Sequence, residues 1–144
     1  VTVTGDATFE KDKDGNQVIK LHGKTIPVPK GKQAGITGCA SAVHAGDWDA
    51  DGDLDLLCGD IGGHVWLIRN EGTAKAPAFA MPAKLDAGGK PIQVEGGDAG
   101  PFAADWNGDG LTDLVVGCGD GGVVWFRNAG TKAEPTLAAA EVLV

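Results

Sequence analysis

Apolar residues along this chain come in short runs that are repeatedly cut by Gly, Asn, Asp or Pro. Runs of this kind, rich in Val, Leu, Ile and Trp, read as β-strands joined by tight turns. The pattern predicts strands at 40–44, 54–58, 64–69 and 79–85, then again at 102–105, 113–117, 123–127 and 136–144. Two more are expected at 17–21 and 91–95, each just after a Gly-containing turn. No stretch sustains a helical period, and 138–141 is too short to nucleate a helix. With 24 glycines and no helical pattern, the expected class is all-β.

The pattern is also written twice. Residues 46–59 (GDWDADGDLDLLCG) align without a gap on residues 104–117 (ADWNGDGLTDLVVG), 58 positions on. Downstream, 62–73 (GGHVWLIRNEGT) matches 121–131 (GGVVWFRNAGT) if one residue is slipped, which pairs Trp66 with Trp125 as Trp48 pairs with Trp106. Further on, 76–85 (APAFAMPAKL) resembles 134–143 (EPTLAAAEVL), and 6–15 (DATFEKDKDG) reads as a worn copy of the same segment. The chain therefore divides into a lead-in at 1–39, a first unit at 40–86, and a second at 87–144 ending on an outer strand.

A four-stranded unit recurring at roughly 60 residues is too large for a solenoid coil and suits a β-propeller blade. Blades bury their apolar faces on neighbouring blades, so two alone leave both outer faces wet. Propellers close with about four to eight blades, which leads us to expect a cyclic homo-oligomer, a trimer for about six blades or a tetramer for about eight. The segment 136–144 is then expected to complete a neighbour's blade.

Charge narrows the choice of partner. The formal net charge is −8, from 20 acidic and 12 basic residues, which argues against nucleic acid or an anionic membrane surface. No apolar run is long enough to span a bilayer as a helix. No basic and apolar leader opens the chain, which begins at Val1, so a processed or excised product is expected. Cys39, Cys58 and Cys118 stand far apart without CxxC spacing, so they are expected to be small hydrophobes and not zinc ligands.

The acidic charge is concentrated. Residues 47–60 hold Asp47, Asp49, Asp51, Asp53, Asp55 and Asp60, a density that repels itself unless solvent or a cation offsets it. Asp47, Asp49, Asp51 and Asp55 fall at positions 1, 3, 5 and 9 of a loop whose sixth residue is Gly52. Asp105, Asn107, Asp109 and Asp113 fall at the same positions of the second loop, with Gly110 sixth. A loop that wraps a hard cation turns alternate side chains inward, and the glycine permits the sharp bend. Position 7, Asp53 or Leu111, can add a backbone carbonyl, and for Leu111 nothing else is available. Oxygen ligands in this number fit Ca²⁺ at both loops better than zinc or copper. An EF-hand is excluded, because position 12 holds Cys58 and Val116 and the flanks read as strands. The plainer alternative is an Asp/Asn-Gly turn held by side-chain-to-backbone hydrogen bonds.

The run DWNGDGLTDLVVG at 105–117 resembles the FG-GAP/VCBS repeat of integrin-α-type propellers, and 47–59 resembles it equally. The resemblance covers about 40–144 and implies propeller blades, Ca²⁺ in the hairpin loop between the first two strands, and an extracellular or periplasmic setting. The Phe-Gly and Gly-Ala-Pro elements that name the family are missing, which weakens any parallel with integrin-style ligand binding.

Other residues read as structural. The four tryptophans are expected to pack between blades; exposed on one face, they would instead offer stacking platforms for a sugar. His22, His44 and His64 have no counterparts in the second unit and make no supported zinc triad. The glycine-rich 117–122 precedes a strand, not a helix, so it is no phosphate loop. Arg69-Asn70 and Arg127-Asn128 recur before Gly-Thr and look like a turn closing the third strand. The expected function is a non-enzymatic, calcium-stabilised binding or scaffold module with a protein or carbohydrate ligand. A lectin-like propeller and a piece of a polysaccharide-processing enzyme are the alternatives, the last weakened by the absence of Tyr.

Overall fold

The computed structural model describes the backbone of residues 8–11, 13, 17–21, 24–27 and 40–144. Val1–Gln33 and Ala34–Val144 form two compact units. In the first, β1 (Thr8–Lys11), β2 (Gln17–Leu21) and β3 (Lys24–Pro27) make an antiparallel sheet in the order β1-β2-β3.

The second unit contains two four-stranded antiparallel sheets, each with its strands in chain order. One is β4 (Ala40–Gly46), β5 (Asp55–Asp60), β6 (Val65–Ile68) and β7 (Ala83–Lys84). A small ribbon follows, β8 (Asp86–Ala87) with β9 (Lys90–Pro91). The other sheet is β10 (Gly100–Ala104), β11 (Asp113–Gly117), β12 (Val123–Phe126) and β13 (Glu141–Val142). Among the described residues there is no helix.

The outer strands are shorter than the apolar pattern predicts. Over 79–85 only Ala83–Lys84 is a strand, with one isolated bridge from Asn70 to Phe79. Pro77 and Pro82 flank that gap, and proline has no N–H to give a ladder. Over 136–144 only Glu141–Val142 pairs fully, with a matching bridge from Asn128 to Leu137.

Both sheets pair in the same register at a constant separation of 58 residues. Leu57 lies opposite Leu67 as Val115 lies opposite Trp125, and Trp66 opposite Lys84 as Val124 opposite Val142. This corrects the pairing of the tryptophans: Trp125 occupies the place of Leu67, and Trp66 that of Val124. The hairpin turns explain the correction. Gly63 N–H bonds the Asp60 carbonyl at 3.0 Å, and Gly121 N–H bonds that of Cys118 at 3.0 Å. Gly63 and Gly121 hold the left-handed place, at φ 84° and 93°, of a three-residue hairpin loop. The sequence match had aligned Gly62-Gly63 on Gly121-Gly122, one residue out of step.

The core lies between the two sheets. Leu57, Val65 and Leu67 from the first join Leu114, Val116 and Phe126 from the second, together with Ile92, Val94 and Ala99 of the connection. Side chains alternate between faces along a strand. The repeat counterparts of Leu57, Val65 and Leu67 are Val115, Val123 and Trp125, which lie on the other face of the second sheet from Leu114 and Val116. The sheets thus stack head to tail, opposite faces meeting. The approach is close at Gly59, where a Cβ would collide with the Ala99 carbonyl oxygen and the Pro101 ring.

Candidate metal-binding loops

Each Asp-rich loop joins the first two strands of its sheet, β4 to β5 and β10 to β11. Asp55 and Asp113 open the second strand and are buried at 1% and 0% exposure. Both spend their two carboxylate oxygens on backbone donors. Asp55 accepts from the N–H of Trp48 (3.1 Å) and Asn70 (2.7 Å); Asp113 accepts from Trp106 (3.3 Å) and Asn128 (2.7 Å). Asn70 and Asn128 continue the arrangement, each Oδ1 taking two further N–H groups, from Gly72 and Ala78 or from Gly130 and Thr136. The sequence reading caught these asparagines only as part of a recurring turn. Their shared spacing from Asp55 and Asp113 was the signal available.

The first loop brings Asp47, Asp49 and Asp51 together, with one carboxylate oxygen of each lying within 4.8 Å of the others. That is close enough for the three to share a metal ion. Asp47 accepts from the N–H of Asp51 and Gly52, both at 3.1 Å, and Asp51 accepts from that of Asp53 at 3.0 Å. Arg69 reaches across from the end of β6 to pair with Asp49 at 3.0 Å. Asp53 turns its side chain inward, with 7% exposure, beside the Asn70 amide. Two buried oxygens, Asp49 Oδ1 and Asp53 Oδ1, have no hydrogen-bond partner. Burial, then the charges of Asp55 and Asp51, push the Asp49 carboxyl up despite Arg69. Burial, then Asp51 and Asp55, raise that of Asp53. Negative charge here exceeds what the chain itself neutralises.

The second loop is closed on itself. Asp105 accepts three N–H groups, from Gly108 (2.7 Å), Asp109 (3.1 Å) and Gly110 (2.9 Å). Asn107 takes the N–H of Asp109 at 3.0 Å and donates from Nδ2 to Asp109 Oδ2 at 2.9 Å. The remaining Asp109 oxygen accepts from Leu111 N–H at 2.9 Å. The Asn107 amide first, then the Leu111 N–H, hold the Asp109 carboxyl below its usual value. The chain thus positions the two loops alike but fills their oxygens differently.

Comparison with family models, curated proteins and solved structures returns no match. The local chemistry therefore carries the functional reading.

Among other singled-out residues, Trp48 is buried at 2% while its counterpart Trp106 is 55% exposed. His44 stacks at a tilt on Phe102, ring centroids 4.6 Å apart. His64 Nδ1 lies 3.2 Å from both Asp60 oxygens, and Trp66 Nε1 donates to Asp60 Oδ2 at 2.9 Å. Those two histidines are engaged separately, while His22 and Cys39 lie outside the described residues. Burial raises the Cys58 and Cys118 thiols, so neither is an activated nucleophile.

Proposed function

We propose that this chain is a calcium-binding β-propeller module with a scaffolding or binding role and no catalysis. The observation that carries the reading is the first loop, where three carboxylates converge and one of them, Asp49, keeps a buried oxygen without a hydrogen-bond donor. A buried anionic oxygen without a donor costs free energy that a bound cation recovers. The donors are all hard oxygens, which favours Ca²⁺ over zinc or copper. Asp47, Asp49 and Asp51 would hold the ion in the first loop, and Asp105, Asn107 and Asp109 in the second. Asp55 and Asp113 brace the loops through the backbone donors they already accept. The ion's contribution is structural: it offsets the loop's self-repulsion and ties β4 to β5. An extracellular or periplasmic setting belongs to the same reading, because free calcium there is high enough for modest loop sites.

Head-to-tail stacking of the two sheets supports blades over a closed sandwich. Continued through further copies, it would close a ring of three or four chains with about six or eight blades. A carbohydrate ligand has one observation in its favour, the exposed Trp106 ring. Sugar quenching of tryptophan fluorescence that disappears in Trp106→Ala would establish it.

Isothermal titration tests the calcium reading. Saturable calcium binding is expected, with the first-loop site lost in the Asp49→Asn, Asp51→Asn double variant, and magnesium should compete weakly. A wild-type chain that takes up no calcium at millimolar concentration would overturn the proposal. Light-scattering mass tests the ring: three or four times the chain mass supports it, and a monomer sinks it.

A further inference from the structure

We infer that copies of this chain join head to tail through two assigned faces. The open face of the second sheet, Val115, Val123 and Trp125 with Gly117 beside them, receives the open face of a second copy's first sheet, Leu56 and Ile68 with the start of β4. This rests on the ring reading above and deepens it by placing the joint. The same joint already exists once inside the chain. Leu57, Val65 and Leu67, buried at 1%, 0% and 7% exposure, pack with Leu114, Val116 and Phe126 of the second sheet. Their own repeat counterparts, Val115, Val123 and Trp125, are only half-buried. On the other face of the first sheet, Leu56 and Ile68 are half-buried, while their counterparts Leu114 and Phe126 are 0% and 5% exposed. Each surface that the internal joint buries is therefore open where it recurs, and stacked repeats bury such faces on their neighbours.

Gly117 points the same way. Gly59 shares a face with Leu57, and the Ala99 carbonyl and Pro101 ring leave no room there for a Cβ. Gly117 holds the equivalent place on the second sheet, yet it has no left-handed φ, and a Cβ on it would meet only Gly100 O at 4.0 Å. Nothing inside the chain requires glycine at that position, and glycine within a strand weakens it. Ser41 of a second copy, 58 residues before Ala99, brings the carbonyl that does require it. The hairpin turns agree. The Asp60 and Ile61 carbonyls accept the N–H groups of Ala99 at 3.1 Å and Asp98 at 3.2 Å. Among the described residues, no backbone N–H from beyond the turn reaches the equivalent carbonyls of Cys118 and Gly119. Ser41 and Ala40 of a second copy are the counterparts that supply those donors. The expectation that 136–144 completes a neighbour's blade is not needed, because β13 pairs with β12 of its own sheet. The joint is face to face and exchanges no strand.

Light-scattering mass on two full-chain variants, alone and mixed, tests the joint. Gly117→Val blocks the receiving face, and Ile68→Asp spoils the entering one. Each variant alone should fall to the mass of one chain while wild type keeps its assembled mass. Mixed in equal amounts, they should form a species of two chains and nothing larger, since each brings one intact face to a heterologous contact. Misfolded chains cannot mimic that recovery. A Gly117→Val chain that assembles as wild type does, or a mixture that stays at the mass of one chain, would overturn the joint and leave the ring standing on other surfaces. A wild-type chain that is itself monomeric would remove both the ring and the joint.

Discussion

Asp60 shows how one buried carboxylate is kept charged. It is 1% exposed, and burial alone would raise its carboxyl. The Trp66 indole, the His64 N–H at 2.9 Å and the His64 ring outweigh that effect and hold it below the usual carboxylate range. The second repeat solves the same turn differently: Cys118 stands in place of Asp60, and Asp120 supplies the acceptor for Gly122 N–H at 3.0 Å. A carboxyl whose folded value is depressed stabilises the fold above its unfolded value and loses that contribution as pH falls through the folded one. Asp60→Asn should therefore flatten the loss of stability below about pH 4, measured by urea unfolding in chelator. At neutral pH the same variant should cost about 1–3 kcal/mol, since the amide turns a donor toward groups that already donate. A variant as stable as wild type at pH 7, with an unchanged acid limb, would show that the pair does nothing for the fold.

At the scale of the element, the loops and hairpins were the legible part. Strand 113–117 matches β11, and 17–21 matches β2, because turn residues bound both runs sharply. The outer strands were over-read, since apolar content at 79–85 and 136–144 carried no signal that Pro77, Pro82 and sparse pairing would cut them short. The slip at 62–73 came from a Gly-Gly pair whose two glycines do different work, and only φ separates them. The loop oxygens were legible as positions but not as partners: Asn107 and Leu111 stand where the first loop has Asp49 and Asp53, yet only the structure shows the Asn107 amide and the Leu111 N–H on Asp109. Repeat-equivalent glycines also differ by context. Gly59 faces the Ala99 carbonyl and Pro101, whereas a Cβ at Gly117 would meet only Gly100 O at 4.0 Å. Gly59→Ala should cost about 1–3 kcal/mol through overpacking. In the dissociated monomer, Gly117→Ala should stay within about 0.5 kcal/mol of wild type. Equal effects in thermal or urea unfolding would contradict the packing of β5 against the start of β10.

At the scale of the whole molecule, both Asp-rich loops of the second unit sit at first-strand turns, and an apolar cluster lies between its stacked sheets. The half-buried Val115, Val123 and Trp125 face repeats in position the surface that Leu57, Val65 and Leu67 bury. A cation that binds only the folded loop stabilises the whole unit by mass action, about 2.7 kcal/mol at a free concentration ~100 times Kd. For a unit of this size that corresponds to a midpoint rise of roughly 10 °C. Thermal unfolding of the same chain in millimolar calcium and in chelator reads this directly. A midpoint higher in calcium by about that margin, lost in the Asp49→Asn, Asp51→Asn variant, is expected. Superimposable melts with and without calcium would mean that the aspartates make acidic turns and hold no metal.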